Sequence, residues 1–211
     1  MTIIEPNVRV RRLAERARYD RESVHAILDA AYVAHVGTVL DGTPVVMPYA
    51  CVRVGDELVL HGSTKAGILS VLANGAPVCA TVTHLDGLVL ARSAFHSSMN
   101  YRSAVVHGNA RIVADPDEKV RLLEAIVDRM LPGRRAGIRA MTQGELDATQ
   151  VVAIALDRVS AKVSAGPPTE PHEDRDAAVW GGVIPVALVL GTPQADDVTA
   201  PGVAAPSIVS A

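Results

Sequence analysis

Two short stretches of this chain carry residue types that can do chemistry. In LVLHGSTKAG an apolar run ends in His61 and Gly62 and leads through Ser63, Thr64 and Lys65 toward a helical pattern. A strand-to-helix junction offers unpaired backbone N–H groups, the positive end of a helix dipole, two hydroxyls and an ammonium, which together suit a phosphate. The second stretch is Asn100, Tyr101, Arg102 and Ser103, at the start of a long alternating run. There Arg102 can pair with a phosphate or carboxylate, Ser103 can donate a hydroxyl, and Asn100 can read a carbonyl or ring nitrogen. Each has a plainer alternative: Ser63 or Thr64 caps a helix while Lys65 is solvated, and Arg102 sits in a surface salt bridge. Together the two stretches describe one anion pocket, provided the fold brings them close.

The elements that must position these residues are mostly strands. A basic leader, residues 1–19, precedes a short helix that Asp20 caps, with Val24, Ile27 and Leu28 as its apolar stripe. Three β-rich runs follow, turned at Asp41-Gly42 and Gly55-Asp56. A second helix with Ile68, Leu69 and Leu72 on one side ends at Asn74-Gly75. Two more strands meet at Asp86-Gly87, and a long strand runs from about Tyr101 to Ala114. The next helix is capped by Asp115, has Pro116 at its first position, shows a capping-box pattern at Glu118, and turns Val120, Leu123, Val127 and Met130 to the core. A small polar helix and a strand or strand pair complete a domain spanning residues 20–166. Residues 167–190 read as a Pro-rich acidic arm with an apolar end, and 191–211 as a disordered tail. Many antiparallel strands with helices at a few corners predict a mainly β barrel with peripheral helices, not a doubly wound parallel sheet.

Composition narrows the function. The chain has 211 residues, 49% of them hydrophobic and only 3% aromatic, so aliphatic side chains must fill the core. A net charge of −3 with scattered basic residues argues against nucleic acid. Cys51 and Cys79 are too few for a zinc site. The N-terminus lacks the apolar core of a signal peptide and no window has the length of a membrane span, so a reduced, cytoplasmic setting without membrane contact is the expectation.

The combination of LVLHGSTKAG, PVCATVTHLDGLVLARSAFHSSMNYRSAVVHGNARIV, LPGRR and VWGGVIPV resembles the flavin-binding split-barrel family related to pyridoxamine 5′-phosphate oxidase, in its nitroimidazole-resistance branch, over about residues 9–190. The resemblance implies a six-stranded antiparallel split β-barrel that forms a homodimer, with FMN in clefts at the subunit interface. It places His61, Gly62, Ser63, Thr64 and Lys65 around the phosphate and ribityl chain, with Thr81, Val82 and Thr83 along the isoalloxazine edge. Asn100, Tyr101, Arg102 and Ser103 complete the pocket and Trp180 covers it. In that branch a reactive histidine stands where His61 does, making His61 the first choice for a catalytic group. The implied activity is an oxidoreductase that passes electrons from a reduced nicotinamide through FMN to a small acceptor. The alternative is a flavin, deazaflavin or haem carrier or sensor without turnover. Relatives often place Arg or Lys two to five residues after Lys65, where this chain has Gly67, Ile68 and Ser70, which leaves Lys65 and Arg102 as the candidates for the phosphate's countercharge; without them the resemblance implies weak flavin binding or a pocket for deazaflavin or haem.

Overall fold

The structure is a computed structural model; it describes residues 8–65 and 67–207, and the ends of the predicted leader and tail, with Ala66, lie outside the described residues. Alternating apolar residues give strands β1 (Ala17–Arg18), β2 (Val33–Leu40), β3 (Thr43–Val54), β4 (Glu57–Ser63), β5 (Pro77–Leu90), β6 (Ser98–Ile112), β7 (Thr149–Ala155), β8 (Val159–Ser164) and β9 (Gly182–Pro185). Helices α1 (Arg21–Asp29), α2 (Gly67–Ala73), α3 (Pro116–Met130) and α4 (Gln143–Ala148) sit at the corners. No helix among the described residues is long and apolar enough to cross a membrane.

The strands run in the order β1-β8-β6-β7-β4-β3-β2-β5-β9, and an additional β5–β6 ladder closes the six strands β2 to β7 into an antiparallel barrel. β3 joins β4 only through Cys51–Val54 and β2 through Thr43–Ala50, so the barrel is split where the end of β4 parts from β3. Alternation decides what fills it: Val36, Leu58, Leu60, Val78, Ala80, Val82, Ala104, Val106 and Ile154 point inward, and α1 and α2 close over the same core. A second apolar cluster lies outside, where Val52, Val59 and Val151 meet Leu122, Leu123 and Ile126 of α3. Gly62 stands at the split because a Cβ there would come within 2.7 Å of Leu69 and 3.5 Å of the Tyr49 ring.

Several local expectations hold. Asp20 accepts from the Ser23 N–H and Asp115 from the Glu118 N–H, and the β2–β3 turn places Asp41 and Gly42 at φ 49° and 77°, as a tight hairpin requires. Three details differ. The reciprocal capping box is at Thr142 and Glu145 of α4. The buried stripe of α3 is Leu122, Leu123 and Ile126, with Met130 exposed. Asp86-Gly87 is no turn: β5 runs on through it as an irregularity in the β5–β6 ladder, since Asp86 is held by Arg102 and its carbonyl accepts from the Val186 N–H at 3.0 Å.

The arm is ordered by one carboxylate. The Glu170 side chain is 3% exposed and accepts from both the Arg92 guanidinium and, at 2.9 Å, the Arg92 N–H, fixing the arm to the β5–β6 connection before β9 pairs with Gly87–Leu90. Glu170→Gln is expected to speed amide exchange across 166–185 while leaving exchange in β5 and β6 unchanged; unaltered exchange in the arm would show that the pair is not its clamp.

Candidate functional site

The outer face of the β5–β6 pair carries a cavity of about 250 Å³ lined by Thr83, Leu85, Met99, Tyr101 and Ser103. These residues share a face because Thr83 pairs with Ser103 and Leu85 with Tyr101 across the ladder. The hydroxyls of Thr83, Tyr101 and Ser103 have no hydrogen-bond partner among the described residues, and the lining contains no charge. The adjoining edge of β5 is available as well, since β2 pairs with β5 only through Cys79–Thr81 and β9 only from Gly87. Val33, Val39, Val46, Leu85 and Met99 leave the surrounding outer face apolar and exposed, Val46 by 64%.

Alternation divides the predicted Asn100–Ser103 cluster between two faces. Tyr101 and Ser103 line the cavity, whereas Asn100 donates to the Gly166 carbonyl at 3.0 Å and Arg102 makes a two-pronged contact with Asp86 at 2.8 and 2.9 Å. That hydrogen bonding lowers the Asp86 pKa and raises that of Arg102. The plainer sequence reading of Arg102, a salt bridge, is therefore the one seen, and its partner is Asp86, a residue whose Asp-Gly pairing reads locally as a turn. Arg102→Gln is expected to leave flavin affinity unchanged; a large drop in a folded variant would place Arg102 on the ligand after all.

The other predicted residues fall as follows. Thr81 donates to the Ala104 carbonyl at 3.2 Å, and Val82 points into the core, so only its backbone can face a ligand. Ser63 accepts from the Lys65 N–H at 3.2 Å, and the Thr64 N–H donates to the Ala148 carbonyl. Lys65 is exposed beside them, ahead of a helix of only seven residues whose dipole is correspondingly small. Trp180 is 62% exposed, does not line the cavity, and lies over Gly182, where a Cβ would come within 2.9 Å of the ring.

His61 pairs with Val151 across the β4–β7 ladder. Its Nδ1 is buried without a hydrogen-bond partner, and burial pushes its pKa below the usual histidine value, keeping the imidazole neutral. A neutral imidazole with a free ring nitrogen can ligate a metal or meet a polar ligand edge. By contrast, burial pushes the Cys51 thiol up to about 11, which makes it inert.

Around the closed ring of six strands, β4 with His61 stands three strands from β5 and two from β6. His61 thus lies on a strand that takes no part in the β5–β6 cavity, and it is not among the cavity's lining residues. Another cavity, about 360 Å³ beside α1, is separate again, and its Asp56 already accepts from Arg21 and His25.

A closed six-stranded barrel split between β3 and β4, with a hydroxyl-lined cavity on its outer face, defines a split-barrel protein. A family model described as pyridoxamine 5′-phosphate oxidase matches residues 20–163. The chain belongs to the pyridoxamine 5′-phosphate oxidase family. Among solved structures it is similar to the flavocytochrome Anf3 from Azotobacter vinelandii, with 37% identity, a TM-score of 0.90, and coverage of 96% of this chain and 94% of that one. It is also similar to an FAD and haem binding protein from Mycobacterium smegmatis, with 44% identity, a TM-score of 0.87, and coverage of 90% and 94%. A candidate 5-nitroimidazole antibiotic resistance protein from Bacteroides thetaiotaomicron, at 24% identity, a TM-score of 0.59 and coverage of 70% and 86%, shares the fold. Among curated proteins, none matches the chain.

Proposed function

We propose that this chain is a flavin-binding redox protein that also holds haem, working as a homodimer and passing electrons from a reduced nicotinamide to a small acceptor. The observation that carries the flavin half is the cavity whose three unpartnered hydroxyls border an unpaired stretch of β5 edge. Hydroxyls and backbone groups in that arrangement suit the polar edge of an isoalloxazine ring. The cavity is small for such a ligand, and the exposed apolar face around it is the kind of surface a second copy covers, enlarging the site. Similarity over nearly the full length to proteins that bind both cofactors supports adding haem, and favours FAD beside FMN as the flavin.

His61 fits haem by its chemistry: it is neutral, partly buried and has a free ring nitrogen. Bound flavin would supply hydride and single-electron transfer, and bound haem single-electron transfer. The chain's own part would be to position them: Thr83, Tyr101 and Ser103 would hydrogen-bond the flavin, Ser63, Thr64 and Lys65 would contribute from the β4 end, and His61 would hold the haem. Reconstitution of purified protein with FAD, FMN, deazaflavin and haem in parallel is expected to give flavin bands and a Soret band together. Reduced nicotinamide should then bleach the flavin anaerobically. A colourless protein that refuses every flavin removes the reading, and bound flavin that no nicotinamide reduces leaves a carrier.

A further inference from the structure

The described part of the leader is a strap folded onto the barrel. Val8 is buried, the Val10 N–H donates to the Tyr19 hydroxyl at 2.8 Å, and β1 pairs with β8. Lys162 stands directly opposite Ser103 across the β6–β8 ladder, so its side chain leaves the sheet on the face that carries the cavity. That side chain ends on the strap, Nζ donating to the Arg12 carbonyl at 3.0 Å. The strap therefore crosses the same face beside the cavity, about 10 Å from it at two strand spacings.

Its charge is unbalanced. Arg9, Arg11, Arg12, Arg16 and Arg18 follow one another with Glu15 the one acid among them. None of them forms an ion pair among the described residues, Arg18 alone having a carboxylate, Asp20, near enough to feel its charge, whereas every arginine in an ion pair there lies at Arg21 or beyond. Gathered cations with too few counterions repel each other and create a field that an external anion relieves. The cavity beside them has the opposite lack, hydroxyls without a cation, and Arg102 is occupied by Asp86.

We propose that Lys162 and the arginine strap bind the pyrophosphate of a dinucleotide whose ring end lies at Thr83, Tyr101 and Ser103. Guanidinium forks match phosphate oxygens two at a time, and Lys162 has two ammonium donors beyond the one on Arg12. The inference rests on the flavin reading and names the missing countercharge for it. The pyrophosphate can belong to the flavin dinucleotide or to the nicotinamide donor.

The test uses the full chain with Lys162→Met and, separately, the double change Arg11→Gln with Arg12→Gln, with Lys162→Arg as the charge-preserving control and circular dichroism as the check on folding. Affinities for FAD, FMN and riboflavin, and then for NADH and NADPH on the flavin-loaded protein, are read by fluorescence. If the strap holds the flavin, FAD binding weakens at least about tenfold while riboflavin binding is unchanged, and the gap between wild type and variant narrows as salt is added. If it holds the donor, FAD binding is unchanged and nicotinamide dinucleotide binding weakens by a similar factor. Lys162→Arg should retain most affinity in either case. Folded variants that bind every dinucleotide as the wild type does overturn the proposal and leave the flavin reading standing; a wild-type chain that binds no flavin brings down both.

Discussion

His61→Ala is expected to abolish the Soret band of the reconstituted protein while its flavin bands persist, with haem affinity falling by at least about tenfold. The expectation follows from geometry within the chain, since His61 on β4 does not line the hydroxyl-bearing cavity of β5 and β6, and its Nδ1 is buried and unpartnered. Flavin absorbance and haem absorbance of one sample, wild type against variant, check it directly. Loss of flavin with haem retained would reassign His61 to the flavin. The pH dependence has a definite sign. Desolvation lowers the folded-state pKa of His61 below 6.5, so as pH falls past 6.5 the unfolded chain takes up a proton that the folded chain does not. The contribution of neutral His61 to stability is therefore complete above 6.5 and is lost as pH falls toward the folded pKa.

Leu60→Ala is expected to cost about 2–5 kcal/mol, lowering the melting temperature by on the order of 10 °C. Leu60 is fully buried inside the barrel, and β4 is clamped between β3 and β7, so the void left by the lost side chain can collapse only a little. The same strand presents His61 one residue later, which adds a functional readout: haem affinity should fall further than in a variant of equal stability from the α3 cluster, such as Leu123→Ala. Denaturant unfolding of both variants, with haem titration of each, measures the two effects. A loss well under 1 kcal/mol at Leu60 would mean that the barrel interior is less tightly packed than its burial indicates.

An unpaired cation strap beside an uncharged cavity would give the flavin reading a salt signature. Binding that depends on guanidinium contacts near the surface weakens as ionic strength rises, since the Debye length shortens to about 8 Å at physiological salt. The Arg102–Asp86 pair, partly exposed and already satisfied, contributes little to either stability or binding by comparison.

The sequence by itself determined the barrel. Strand alternation, the Asp41-Gly42 hairpin and the caps at Asp20 and Asp115 are local features whose chemistry acts within a few residues, and each appears where its residues place it. It also singled out His61, Tyr101 and Ser103 by residue type. Tertiary structure decided which of those side chains share a face. Period-two geometry sends Tyr101 and Ser103 to the cavity and Arg102 to Asp86, and only the β5–β6 and β6–β8 registers reveal that Asp86 answers Arg102 and that Lys162 stands opposite Ser103. Those pairings join residues separated by 16 and 59 positions along the chain, and such distant partners are chosen by how the whole barrel closes, not by any local preference.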